Sequence, residues 1–230
     1  MTRRATRSLR TWARALVVLL APLGAGVLGH AWQVRKVEVV GVRFFDGKAA
    51  RQVLEEALGK PPMLASASVL RDRLLALPWV EDARVTVGLD GTVRCQLRER
   101  TPVAVLTDVT PPQLVDITGR LLGPAGSNAE LLALSGFAAH PEERAEILGL
   151  VKDLEKAWGQ PVVACERLGS REVAVSFAQD RVTVLLDPQH PEGVAAARKV
   201  LALWDEQTLG VVARLDVRVP GKVFVRTVGD

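Results

Sequence analysis

The sequence contains no Tyr, two Cys and three His, and aromatic residues make up only 4% of it. Each shortage closes off a class of chemistry. Cys95 and Cys165 stand far apart with no CxxC spacing, so neither a metal site nor a disulfide framework is indicated. Both read as small buried apolar residues. His30 falls inside an apolar run, and His140 and His190 each precede a proline at a predicted helix start, the place of a capping or solvated side chain. No Walker A or GxGxxG string occurs. Ser135-Gly136 and Gly169-Ser170 lack the strand–GxSxG–helix setting of a nucleophile elbow. The carboxylate pairs Glu142/Glu143 and Asp153/Glu155 fall on a helix surface, and Asp216 sits between Arg214 and Arg218 on one strand face. No active site assembles from these residues, and the chain reads as a non-enzyme with no cofactor and no metal.

Acidic residues are missing before Glu38, while Arg3, Arg4, Arg7, Arg10 and Arg14 crowd the start. They precede Ala15–Val34, ALVVLLAPLGAGVLGHAWQV, which holds no charged side chain. At a rise of ~1.5 Å per residue this run spans about 30 Å, one bilayer core. It predicts a transmembrane helix over 15–34 with residues 1–14 as a cytoplasmic tail, because flanking basic residues stay inside. Trp12 and Trp32 fall at the two ends, where indoles prefer the headgroup layer. The alternative is a cleaved secretory signal with Gly29-His30-Ala31 as the small-x-small site, but the run is longer than an h-region of ~7–15 residues. The net charge of +4 belongs to this end of the chain. Residues 1–35 carry six Arg and no acid, leaving 24 basic against 26 acidic groups, or −2, for the remainder. That balance excludes a nucleic-acid footprint.

Beyond the run, Val34–Gly41 alternates as a strand. Asp46 offers an N-cap to a helix with Ala50, Val53, Leu54, Ala57 and Leu58 on one face, closed by Gly59. A second helix starts near Ser66 or Ser68, carries Leu70, Leu74 and Leu77, and stops at Pro78. Ala83, Val85, Val87 and Leu89 then alternate with polar residues, as do Val93, Cys95 and Leu97 after Asp90-Gly91. This predicts a β-hairpin with a type I′ turn, one face apolar and the other strongly basic. The order is β-α-α-β-β. In the second half, Pro111–Asp116 and Leu121-Leu122 are short strands, and Pro141 opens a helix to Trp158 buried through Ile147, Val151, Leu154 and Trp158. Strands follow at 162–167, 172–177 and 182–186, then a helix from Pro191 to about Glu206. Two final strands, 211–219 and 222–228, turn at Pro220-Gly221.

Val39-x-Gly41, Leu77-Pro78-Trp79-Val80, the hairpin and Glu99-Arg100-Thr101-Pro102-Val103-Ala104 together resemble the POTRA domain of the FtsQ/DivIB family of bacterial cell-division proteins. Leu114-Val115-Asp116-x-x-Gly119 and Leu215-Asp216-Val217-Arg218 with Pro220-Gly221 extend the resemblance in the family's order. It implies an α+β protein with an N-terminal transmembrane helix, a POTRA βααββ domain over 35–105, and a mixed α/β domain with a largely antiparallel sheet over 106–230. It also implies a single-pass inner-membrane protein at the division septum, a scaffold that recruits and links FtsB-like and FtsL-like bitopic partners and helps control septal peptidoglycan synthesis. Contacts with the septal wall synthase complex and other divisome proteins are part of the same expectation. The competing classes are an exported POTRA protein of envelope assembly, which would need a β-barrel this chain has no room for, and a secreted enzyme released after signal cleavage.

By position, the resemblance places partner binding at the edge of the C-terminal sheet, on Arg214, Asp216, Arg218, Val219, Lys222, Phe224 and Arg226. Alternation puts Arg214, Asp216, Arg218, Phe224 and Arg226 on the face away from Leu215, Val217, Val223 and Val225. Phe224 is an aromatic on an otherwise charged face, the mark of an anchor. Val219 stands where the family commonly has an aromatic. A second expected surface is the POTRA face carrying Arg84, Arg94, Gln96, Arg98 and Arg100.

Overall fold

The computed structural model describes residues 33–126 and 131–229, which fall into two compact units, Met1–Glu99 and Arg100–Asp230. The expected tail lies outside the described residues, as does the expected span apart from Gln33 and Val34. Among the described residues no helix is long and apolar enough to cross a membrane.

The first unit runs β1 (Lys36–Val40), α1 (Lys48–Glu55), α2 (Ala67–Leu75), β2 (Val80–Val87) and β3 (Thr92–Glu99). Its sheet has the order β1-β3-β2, with β1 parallel and β2 antiparallel to β3. Alternation delivers Ala83, Val93, Cys95 and Leu97 to one face, where Leu54 of α1 and Leu70 and Leu74 of α2 cover them. Val34, expected to end the membrane span, is instead in this core at 1% exposure. Asp46 accepts the Lys48 amide at 3.0 Å, but Gly47 is the residue at the cap of α1. Ser66 caps α2 through the Val69 amide.

The hairpin forms, but with a different turn. Gly91 has φ 77°, and no residue other than glycine takes positive φ among the described residues, so Asp90 cannot fill a type I′ position. Gly91 N–H donates to Gly88 O and Gly88 N–H to Thr92 O. This is a three-residue loop with glycine in the left-handed position. Asp90 does not take positive φ, and its carboxylate is used locally, accepting the Thr92 amide at 3.0 Å and the Arg94 guanidinium at 2.6 Å.

The second unit is a nine-stranded sheet. Its strands are β4 (Pro102–Leu106), β5 (Gln113–Asp116), β6 (Leu121–Pro124), β7 (Leu132–Ser135), β8 (Val162–Gly169), β9 (Glu172–Phe177), β10 (Thr183–Leu186), β11 (Val212–Asp216) and β12 (Phe224–Thr227). The spatial order is β12-β11-β10-β9-β8-β7-β4-β5-β6. Pairs β4/β7, β7/β8 and β10/β11 are parallel and the other five antiparallel. Helices α3 (Pro141–Trp158) and α4 (Gly193–Ala202) lie against it, and α5 (Glu206–Leu209) is a single turn. The expected boundary at 105 is therefore corrected to Glu99. β4 pairs with β5 and β7 and buries Ala104 and Leu106 in the second core, which makes it part of that unit.

α3 begins at Pro141 with Glu142 and Glu143 in its first turn and ends at Gly159, φ 83°. Trp158 stacks on Phe177 at 4.5 Å and donates Nε1–H to Asp180 at 2.7 Å. The helix expected from Pro191 to Glu206 stops at Ala202, and Leu201 and Trp204 pack only partly.

Two buried charges organise this unit. Arg144, which the helical periodicity leaves polar, is 4% exposed and donates to the carbonyls of Gly119 (2.6 Å) and Phe137 (3.1 Å). Asp116, 3% exposed, accepts the amides of Thr118 and Arg120, the Thr118 hydroxyl and the Arg100 guanidinium. Gly119 must be glycine: φ is +78°, and a Cβ would stand 2.9 Å from Pro141 O. Burial pushes the Asp116 carboxyl up, but its hydrogen bonds from Thr118, Arg100 and Arg120 outweigh that and hold it below the ordinary carboxylate range. Replacing Arg144 by Met removes the guanidinium donor from Gly119 O and leaves Phe137 O with the His140 amide alone, and urea unfolding of the full chain is expected to register a loss of roughly 1–3 kcal/mol. A depressed carboxyl stabilises the fold above its unfolded pKa of about 3.9, and that contribution disappears as pH falls through the lower folded value. Asp116→Asn should therefore flatten the acid limb of stability against pH, and an unchanged limb would show that the carboxylate does not drive it.

Candidate partner-binding edge

β12 is one edge of the large sheet, and register fixes what it shows. Arg226 lies opposite Arg214, Val225 opposite Leu215 and Phe224 opposite Asp216. Leu215 is fully buried and Val217 is 1% exposed, while Val223 and Val225 pack against the same core. Arg214, Asp216, Phe224 and Arg226 consequently share the opposite face. Phe224 is 52% exposed and does not pack under a helix. Beyond the ladder, Lys222 N–H donates to Val219 O across Pro220 and Gly221, the latter at φ 74°. Val219 and Lys222 sit at this exposed turn, apart from the β11–β12 ladder.

Arg218, expected among the partner-binding residues, is engaged within the unit. It lies past the end of β11, its amide donates to Asp216 Oδ1 at 3.1 Å, and its guanidinium forks onto the same carboxylate while also reaching Glu172. The Arg218 hydrogen bonds hold the Asp216 carboxyl below its ordinary value, and Asp216 and then Glu172 push Arg218 up. Arg214, Arg226 and Lys222, by contrast, form no ion pair within the described residues. Two like charges stand directly opposite each other on β11 and β12, a destabilising arrangement in a sheet.

The structure adds Leu185 and Glu172 to the site. Leu185 is in register with Asp216, on the face away from the helices, yet only 4% exposed. Its signal was in the sequence: Val184-Leu185-Leu186 is a continuous apolar run, consistent with a strand buried on both faces. Glu172 comes from the distant β9 and carried no local signal.

The outer face of the first unit is less basic than expected. Arg84 pairs in register with Gln96 and Thr86 with Arg94, and they line an open groove of ≈ 440 Å³ with Glu38 and Val40. Arg94 is held by Asp90 at 2.6 Å and Glu38 at 3.5 Å, and Arg98 by Glu81 at 3.2 Å. The neutralising acids come from β1, the turn and a bulge in β2, which alternation within the hairpin does not reveal. Arg84 forms no ion pair within the described residues. Arg100 is not on this face: it is bonded to Asp116 at 2.8 Å and is largely buried in the second unit. Among the described residues no cluster of His, Cys, Asp and Glu is arranged to hold a metal ion.

Comparison with known proteins agrees with this architecture. Residues 33–100 match the family model described as the POTRA domain, FtsQ-type. The chain is 31% identical over 202 residues to the cell division protein FtsQ of Novosphingobium aromaticivorans, covering 84% of this chain and 62% of that protein. It is 29% identical over 219 residues to the FtsQ of Zymomonas mobilis, covering 91% and 67% respectively. A third FtsQ, from Rhodothermus marinus, is 29% identical over 154 residues, covering 61% of this chain and 56% of that protein. The chain thus spans roughly two thirds of the length of the first two relatives. Residues 33–100, the βααββ unit, are thus a POTRA domain of the FtsQ type, and the chain over most of its length is similar to FtsQ cell-division proteins.

Proposed function

We propose that this protein is a non-enzymatic scaffold of the division septum, held in the inner membrane by the apolar run over residues 15–32, that captures FtsB-like and FtsL-like bitopic partners and helps control septal peptidoglycan synthesis. The observation that carries the capture step is the exposed edge strand β12, with Phe224 outward and Arg214 and Arg226 opposite each other. An edge strand presents unpaired backbone donors and acceptors to another strand. Phe224 supplies an apolar anchor, and the two arginines favour an acidic partner segment. Arg218 acts from behind, holding Asp216 against Glu172 so that the start of the turn is fixed. The outer face of the first unit, around Arg84, Arg94 and Arg98, is the proposed surface for other division proteins and the septal wall synthase complex.

Phe224→Ala is expected to weaken binding of an FtsB-like partner by about 2 kcal/mol, near 30-fold in Kd, without altering the melting of the chain. Arg226→Glu relieves the like-charge pair but repels an acidic partner, so it should stabilise or spare the fold while reducing capture. Titration of purified partner against both variants checks this, and undiminished affinity in both would remove the edge from the site. In dividing cells, a fluorescent fusion at the N-terminus is expected to form a midcell ring that is lost on deleting residues 35–99. A uniform envelope signal with normal division after depletion would overturn the scaffold reading.

A further inference from the structure

The first unit leaves no spacer between its core and the apolar run. Val34 is buried, its amide donates to Lys60 O at 2.9 Å, and its carbonyl accepts the Gly59 amide at 2.9 Å. Arg35 and Lys36 amides both donate to Gly91 O, at 2.8 and 3.3 Å. A Cβ on Gly91 would stand 2.5 Å from Gln33 O, so the hairpin loop also closes on the arriving chain. Positions 15–32 would give about 27 Å of helix, a few Å short of a ~30 Å bilayer core. A unit that begins folding at Val34 therefore stands directly on the bilayer surface, and the parts of it that surround Val34 face the lipid.

Those parts are apolar and exposed. Leu58 (42%), Met63 (75%) and Leu64 (73%) come from the α1–α2 loop and Leu89 (70%) from the hairpin loop. The α1–α2 loop is built to hold its side chains out: Leu64 and Ala65 amides both bond to Pro61 O, and Pro62 and Ala65 are buried beneath. At no more than about 3.6 Å per residue, Met63 and Leu64 lie within about 14 Å of Lys60, the partner of Val34. Isolated exposed apolar residues are ordinary on protein surfaces. Here two loops remote in sequence meet the chain at the one place where it leaves the apolar run. Lys60, exposed and without an ion pair among the described residues, adds a cation at headgroup level.

We propose that Leu58, Met63, Leu64 and Leu89 form a lipid-seated rim that inserts into the interfacial layer of the bilayer and sets how the first unit stands on the membrane. The inference rests on the reading of residues 15–32 as a membrane span. The test uses the full chain in nanodiscs of phosphatidylcholine and phosphatidylglycerol, with the fluorophore NBD on single introduced cysteines. The positions are Leu64→Cys, Leu89→Cys, Phe44→Cys and Ala21→Cys. Native Cys95 and Cys165 are 2% and 1% exposed, and burial raises their thiols to about 11 and about 12, so they stay unlabelled in the folded chain. Phe44 is exposed and lies beyond the far end of β1. Spin-labelled lipid is expected to quench the probes at Ala21, Leu64 and Leu89, and aqueous iodide the probe at Phe44. Lipid quenching at Ala21 with iodide quenching at Leu64 and Leu89 overturns the rim and leaves the span standing. Iodide quenching at all four overturns both. Probes at Leu64 and Leu89 that are open to iodide in lipid, but shielded when a partner protein is added, would reassign the rim to that partner.

Discussion

The second unit depends on burying one register row. Val225, Leu215, Val184, Val175, Cys165, Leu134 and Leu106 lie side by side across seven neighbouring strands, and α3 and α4 cover them. Each fully buried aliphatic side chain contributes roughly 1.5–3 kcal/mol relative to exposure. A slip of one residue in any strand would turn its share of that row to solvent, so the row fixes the register of the whole sheet. What remains on the other face follows without further choice. Arg226, Arg214, Thr183, Ser176, Ala164, Ala133 and Val105 form the adjacent row, and Phe224, Asp216, Leu185, Ala174 and Glu166 the row on the other side. The exposed edge at β12 is thus the outer end of the same rows that make the core.

Where the two units meet in sequence, consecutive residues have opposite allegiances. Glu99 ends β3 with its carboxylate accepting the amides of Arg43, Phe44 and Phe45. Arg100 turns its guanidinium onto buried Asp116. The second pairing is charge-assisted and shielded from water, the condition under which an ion pair matters most and its disruption costs most. It explains why an alternation argument that runs from Arg94 through Arg98 to Arg100 fails at its last member.

Period and punctuation carried most of the fold. The βααββ order, α3 from Pro141 to Trp158 and the turn at Pro220-Gly221 are all local signals, and they appear where the sequence places them. β4 and β7 were not legible as strands of the second unit, because each is short and pairs in parallel with a strand far along the chain. The I′ turn was misread because Asp-Gly is compatible with either turn, and Asp90 here bonds to Thr92 and Arg94 without taking positive φ. At the edge, Phe224, Arg214 and Arg226 were legible from alternation alone. The role of Arg218 was not, since Glu172 reaches it from 46 residues away.

The two open sheet faces differ in how their charges are settled. On the first unit, Arg94 and Arg98 each have a carboxylate within 3.5 Å, pairs worth only a few tenths of a kcal/mol when exposed. Such a face is content in solvent and offers weak, adjustable contacts. On the second, Arg214 and Arg226 face each other across β11 and β12 without an ion pair among the described residues, and Asp216, which Arg214 influences only at a distance, is forked by Arg218. That arrangement costs the free protein a little stability, softened by hydration of the two exposed guanidinium groups. In the proposed capture, an acidic segment along β12 would match this charge at the edge where backbone groups and the exposed Phe224 are also on offer. Electrostatics, backbone pairing and the apolar anchor therefore point to one edge of one sheet.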